Sequence, residues 1–318
     1  YRVFLLPMIT REVSRRMKDM NSQNQQSDKA HSSSLSVGFA PIVLDHLPSM
    51  PSLLGRAAFK SGYYQLGDVL PALSTEINHL RIRQADLRAY RALCGFSDNS
   101  VLPATYLHML SFPLSLNLLI QQDFPMKAMG QVHLRNQISV LEAFDLRAPI
   151  SMRATIGNSE VTSRGVEWDI DVSAVVDNQL VWSSTSTYLN RCETGVPVIR
   201  SKETSPQGNS QNWTVEADIG RRYAKVSADY NPIHLSDITA KLFGFKQAIA
   251  HGMWSKARCL AALEEKLPSA GYSVDVAFHR PLFLPAEVVF NSHVNQQGES
   301  FSLQNKTSGV LHLLGQIS

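Results

Sequence analysis

Between Gly165 and Val176 the chain alternates, with Val166, Trp168, Ile170, Val172 and Ala174 on one face and Glu167, Asp169, Asp171 and Ser173 on the other. A period of two predicts a strand with one side on a core and the other toward water. Asp177, Asn178 and Gln179 turn it back onto residues 180–189 as a hairpin. Further strands are predicted over 131–140, 146–156, 272–283, 286–295, 300–306 and 310–317, with turns at Gln297–Gly298 and Ser308–Gly309. Helical spacing appears elsewhere. Leu87, Tyr90, Leu93 and Cys94 share one side of 83–94, which Gly95 stops. Residues 106–120 are too densely apolar for a surface helix and predict a buried one, interrupted or kinked at Pro113. A short helix is expected over Leu53–Phe59 and another around Tyr223. A longer one runs from His251 to Lys266 on Met253, Ala257, Leu260 and Leu263, and Pro268 and Gly271 end it.

The order helix, loop, buried helix, antiparallel strands thus occurs twice. A helix apolar on all sides is covered best by a sheet that curves around it, so an α+β fold of two such units, paired edge to edge, is expected. Polar stretches divide the chain. Residues 18–36 read as a mobile linker within an N-terminal extension of residues 1–50, and Ser201 to Gln211 as an interdomain linker, leaving units over 51–200 and 201–318.

Composition narrows the function classes. Of the 318 residues, 44% are hydrophobic and 18% charged, as in a globular protein with a sizeable core. A net charge of +3, with no basic run longer than Arg15–Arg16 or Arg221–Arg222, leaves no footprint for nucleic acid and suits a small anionic ligand. Cys94, Cys192 and Cys259 are odd in number and far apart, which predicts free thiols in a reducing, cytoplasmic setting. The apolar residues 1–7 are too short to span a bilayer, and no other stretch is long enough, so no membrane partner is expected.

The chemistry concentrates in residues 223–253. Asp229, Asn231 and His234 fall in one polar turn, and His251, Gly252 and Met253 open the helix that follows. A carboxylate and an imidazole next to free helix amides form an acid/base pair beside a place for developing negative charge. Each piece alone has a plainer role: Asp-x-Asn-Pro is a common turn former, and Asp237 reads as a helix cap. Asp229, His234 and Asp237 as metal ligands fit less well, lacking the donor set of a closed site.

Taken together, YAKVSADYNPIH and the later GF....IAHGM resemble the signature of the double-hotdog MaoC-like dehydratases, which include the (R)-specific enoyl-CoA hydratases (hydratase 2). AYRALCGFSDN, LPATYLHM and GQVHLRN are similar in layout to the N-terminal hotdog of such proteins, while residues 1–50 are not covered. The resemblance implies reversible hydration of a trans-2-enoyl-CoA or acyl-carrier-protein thioester to the (3R)-hydroxyacyl form, without cofactor or metal. Asp229 and His234 would share the acid/base work, Asn231 would orient the pair or the turn, and the Gly252 N–H would polarise the carbonyl. Tyr223, Ser227, His251 and Met253 are then substrate-binding candidates, and the chain a pseudo-dimeric monomer or a homodimer. A hotdog thioesterase and a catalytically silent acyl-binding module are the competing expectations. Lys246, Lys256, Arg258 and Arg280 are candidates for the thioester arm's phosphates, and Ser255, Cys259 and Leu260 stand where some family members support the water. Aligning Tyr90 with Tyr223 places Phe96, Asp98 and Val101 opposite Asp229, Asn231 and His234, so the first unit is expected to be non-catalytic and His79, His108 and His133 structural.

Overall fold

The computed structural model describes residues 40–198, 206 and 208–318; the linker expected over 18–36 lies outside them. In chain order the elements are β1 (Ile42–Leu44), α1 (Met50–Phe59), β2 (Ser74–Leu80), α2 (Gln84–Cys94), α3 (Tyr106–Leu119), β3 (Val132–Val140), β4 (Ile150–Thr162), β5 (Gly165–Val176), β6 (Gln179–Asn190), β7 (Asn209–Val215), α4 (Ile219–Ser227), α5 (Asp237–Leu242), α6 (Gly252–Ala261), β8 (Tyr272–Phe278), β9 (Ala286–Asn295), β10 (Gly298–Asn305) and β11 (Leu311–Ile317). Single 3-10 turns cover Pro232–His234 and Glu264–Lys266.

All eleven strands join one sheet, in the order β1-β2-β4-β5-β6-β3-β8-β11-β10-β9-β7. Apart from the parallel β1–β2 edge the ladders are antiparallel. The order is one motif repeated about the β3–β8 seam, where Arg135 pairs with Ala277 and the register runs to Val140 with Tyr272. This is the double hotdog that the sequence predicts. In the first half the sheet covers α3, whose Tyr106, Leu107, Leu114 and Leu118 are fully buried. Each such side chain contributes roughly 2 kcal/mol through burial. In the second half α6 takes the same place with Ala257, Cys259 and Leu260.

Side chains of α6 also tie the halves together. Lys256 is fully buried, and its ammonium donates to the Asn136 main-chain oxygen (2.8 Å), Asn136 Oδ1 (2.6 Å) and the Val274 oxygen (3.1 Å). Asn136 in turn donates to Ser184 and Ser186, both at 3.0 Å. So enclosed, Lys256 is not available to a phosphate, which removes one of the four candidates for that role. Lys246 lies 4.6 Å from the Phe283 ring, and Arg258 stacks 4.3 Å over Trp213.

Several element boundaries differ from those expected. Helix α3 runs through Pro113 uninterrupted. Asn209–Val215, expected partly as linker, is the edge strand β7, held by main-chain pairing to β9 although Asn209–Asn212 and Thr214 are exposed. Strand β1 takes residues 42–44 into the sheet, within the stretch read as an extension. Strand β2 escaped the period-two pattern because the ladder shifts register between Ile77 and Leu80, where His79 has φ 60°. β4 begins at Ile150 and not 146, since 145–148 form a turn closed by Ala148 N–H to Asp145 O. β8 stops at Phe278, short of the expected 283. Helix α6 is shorter than the expected span to Lys266: the chain tightens into a 3-10 turn in which Glu264 accepts from Ser97 N–H (2.8 Å) and Asn99 Nδ2 (2.9 Å) of the first half.

Candidate active site

Helix α4 ends at Ala228, whose φ of 58° is left-handed and turns the chain sharply into the polar segment. Ser227 fixes this exit, donating to the Tyr223 oxygen at 2.8 Å and accepting from Asp229 N–H at 3.2 Å. Asp229 Oδ1 accepts from Asn231 N–H (3.2 Å), and Asn231 Oδ1 accepts from Ile233 N–H (3.4 Å), which starts the 3-10 turn. Asn231 thus serves the backbone of the turn. Pro232, at the first position of that turn, lacks an N–H that would otherwise be unpaired.

The turn sits close against α4. Gly220 lets the His234 carbonyl approach to 2.0 Å from where a Cβ would stand, so no other residue fits there without displacing the turn. His234 Nδ1–H donates to the Ile249 oxygen at 2.8 Å. That bond fixes the tautomer of the neutral ring and leaves the lone pair on Nε2. Burial lowers the His234 pKa, opposed by the Asp229 charge. Burial also raises the Asp229 carboxyl above its usual range, opposed by His234 and the Asn231 N–H. Burial thus moves the two pKa values toward one another.

His251 closes the arrangement. It is the N-cap residue of α6, and its ring stacks on His234 with centroids 3.6 Å apart and an interplanar angle of 24°. Its Nε2–H donates to the Asp229 main-chain oxygen at 3.1 Å and lies 3.8 Å from Asp229 Oδ2. The helix ladder begins with Ser255 N–H to His251 O, so the amides of 252–254 precede it. Gly252 faces Phe278, whose ring atoms lie 3.0–3.3 Å from where a Cβ would be.

One wall comes from the first half. His133 lies 5.0 Å from the Phe278 ring and stacks on Tyr188 at 4.7 Å. Burial holds His133 down to about 3 and pushes the Tyr188 phenol up to about 12, with the Asp229 charge adding to the latter. Neither residue was predicted at this site, because it is the seam that brings β3 and β6 to β8.

Donor atoms of Asp229, His234 and His251 lie within 4.8 Å of one another, the one potential metal cluster among the described residues. His234 Nδ1 and His251 Nε2 already donate to the Ile249 and Asp229 main-chain oxygens, which leaves one free nitrogen on each ring. Asp237 lies outside this group. Its carboxylate accepts from Ala248 N–H at 2.8 Å, and Ser236, not Asp237, caps α5 by accepting from Thr239 N–H. Of the expected substrate-binding residues, Tyr223 packs 4.8 Å from His251, Ser227 is engaged in the turn, and Met253 is buried in the first turn of α6. Ser255 donates to the His251 oxygen at 3.3 Å, and Cys259 is fully buried.

Residues 200–315 match the family described as MaoC like domain. Over 269 residues the chain is 32% identical to 3-hydroxyacyl-thioester dehydratase X of Mycobacterium tuberculosis, covering 83% of this chain and 95% of that one. The crystal structure of the M. tuberculosis protein HtdX superposes with a TM-score of 0.67 at 30% identity, over 77% of this chain and 98% of that one. A MaoC-like dehydratase from Phytophthora capsici shares the fold, with a TM-score of 0.64 at 19% identity over 80% of this chain and 98% of its own.

Proposed function

The chain belongs to the MaoC-like dehydratase family, and from that premise we propose that it catalyses the reversible hydration of trans-2-enoyl thioesters to (3R)-hydroxyacyl thioesters. The observation that carries this assignment is the convergence of Asp229 and His234, with the His234 tautomer fixed by Ile249, beside the first amides of α6. In hydration, water adds through its oxygen to C3 while the Asp229/His234 pair takes one proton and delivers one to C2. Dehydration runs the same steps backward. The pair titrates as a unit. The Gly252 N–H, at the positive end of the α6 dipole, stabilises the negative charge that develops on the thioester oxygen.

Residues 201–318 are the catalytic unit in this proposal. Residues 51–200 are the non-catalytic partner, so the chain is a dimer of hotdogs in one polypeptide. The acyl group arrives on CoA or a carrier protein. Three free cysteines, two of them buried, support a cytoplasmic setting. No helix among the described residues is long and apolar enough to cross a membrane.

Crotonyl-CoA tests the assignment. Absorbance of the conjugated thioester should decay, and Asp229→Asn and His234→Gln should each slow that decay by about 10² to 10⁴. Release of free thiol at the wild-type rate would make the protein a thioesterase. Binding without turnover would make it a silent acyl-binding module.

A further inference from the structure

His251 sits where the acid/base turn meets the carbonyl-binding helix, yet it is only 3% exposed. Its imidazole hydrogen bond runs from Nε2–H to the Asp229 carbonyl, and its Nδ1 is buried without a partner. A group so enclosed offers a substrate almost no surface, and its donor is already occupied. What it does touch is the catalytic apparatus on three sides. It holds the Asp229 main chain at 3.1 Å, the His234 ring face at 3.6 Å and, through its own carbonyl, the Ser255 N–H of α6 at 3.1 Å. The 232–234 end of the turn is tethered by His234 Nδ1–H to the Ile249 oxygen (2.8 Å), Ile249 N–H to the Ile233 oxygen (3.1 Å) and the Thr239 hydroxyl to the Pro232 oxygen (2.7 Å). The Asp229 end has weaker ties of its own: it enters through a left-handed alanine, and Asp229 accepts from Asn231 N–H at 3.2 Å and Asn231 from Ile233 N–H at 3.4 Å, so His251 anchors that end.

We infer that His251 is a positioning residue: its Nε2–H and ring face fasten the Asp229–His234 turn to the N-terminus of α6, fixing the acid/base pair relative to the carbonyl-binding amides. This rests on the hydration assignment for its catalytic consequence but not for the anchor itself. The ring must be neutral to fit, since a second proton would sit on the enclosed Nδ1. Burial and the adjacent His234 both disfavour that proton. The role explains why imidazole suits this position. It combines a flat face, which keeps His234 in plane with its Ile249 bond, with an N–H at the reach of the Asp229 oxygen.

Gln and Phe separate the possibilities. His251→Gln keeps an N–H at nearly the same reach, whereas His251→Phe keeps the flat ring and loses the donor. For a positioning residue, His251→Phe should lower kcat by about 10²-fold with KM nearly unchanged, the typical cost of misplacing catalytic groups by about 1 Å. His251→Gln should recover most of that loss. Amide hydrogen exchange of residues 229–234, which needs no substrate, should rise by roughly tenfold in His251→Phe and far less in His251→Gln. Three outcomes overturn the inference: a rise in KM at constant kcat, equal loss of kcat in both variants, or unchanged exchange in His251→Phe. They point respectively to a substrate contact, a proton carrier and no anchor. A wild-type protein that fails to hydrate enoyl thioesters would sink the functional assignment alone, because the exchange arm still decides the anchor.

Discussion

Two glycines set how tightly the site is assembled. At Gly252 a methyl group would meet the Phe278 ring at 3.0–3.3 Å, so Gly252→Ala must push the ring or the helix start aside. The amide proposed to face the thioester oxygen moves with it. Turnover should fall by about 10² to 10³, the cost of one lost oxyanion donor, with little change in melting temperature. Gly220 acts at one remove. Gly220→Ala places a methyl 2.0 Å from the His234 carbonyl and should displace the whole 3-10 turn, lowering stability and activity together, which thermal unfolding and turnover would separate from the Gly252 effect. The need for glycine at 252 is partly legible in the sequence, because it opens a helix. The need at 220 is not, because the contact joins α4 to a carbonyl fourteen positions later and depends on how the turn folds back.

Among the elements, α6 has the most demands on it: its first turn serves the site, and its middle holds the seam. Burial works against a charge on Lys256, and three carbonyl oxygens within 3.1 Å take its three hydrogens in compensation. Lys256→Met would leave the Asn136 and Val274 oxygens without that partner and should destabilise the fold by on the order of 3 kcal/mol, measurable by urea unfolding. The small helix α5 depends on Ser236, and Ser236→Ala should cost about 1 kcal/mol. Periodicity worked where one face is dry and the other wet. Strand β5 buries Trp168, Ile170, Val172 and Ala174 as its alternation requires. It failed at β7, where only Trp213 and Val215 are withdrawn from water and main-chain pairing to β9 defines the rest of the strand, and at β2, where the register shift interrupts the repeat.

For the whole molecule, the interior excludes protons from several imidazoles. Burial lowers the pKa of His108, His133, His234, His251 and His312, to about 3 for His133. An unfolded histidine titrates near 6.5. Above that pH both states are neutral and the stability is complete; as pH falls from about 6.5 toward 3 the unfolded chain takes up protons that the folded chain refuses. Stability should therefore drop by about 1.4 kcal/mol per pH unit for each such group, from about pH 6.5 down to that group's own folded pKa. Asp169 and Asp229, with their raised pKa values, oppose this. Urea midpoints between pH 7 and pH 4 should show a steep acid slope that His133→Phe makes shallower. Division of labour between the halves is testable at the same scale. Val101, opposite His234 in the repeat, is 37% exposed, and Val101→Ala should leave turnover unchanged.

The sequence by itself determined the repeated order of elements, the α+β class and the local turn that carries Asp229, Asn231 and His234, because periodicity, turn chemistry and short spacing act within a few residues. It also placed the helix start at His251–Gly252 within one residue. Closure of the sheet decided the rest. Only the β3–β8 seam brings Lys256 to Asn136, 120 positions away, and sets His133 and Tyr188 against Phe278 beside the site. Only the fold of the turn onto α6 stacks His251 on His234 and turns it from a candidate substrate contact into the anchor proposed for the catalytic pair. Such contacts have no signature along the chain, since their partners are chosen by strand register and by the space left between packed elements.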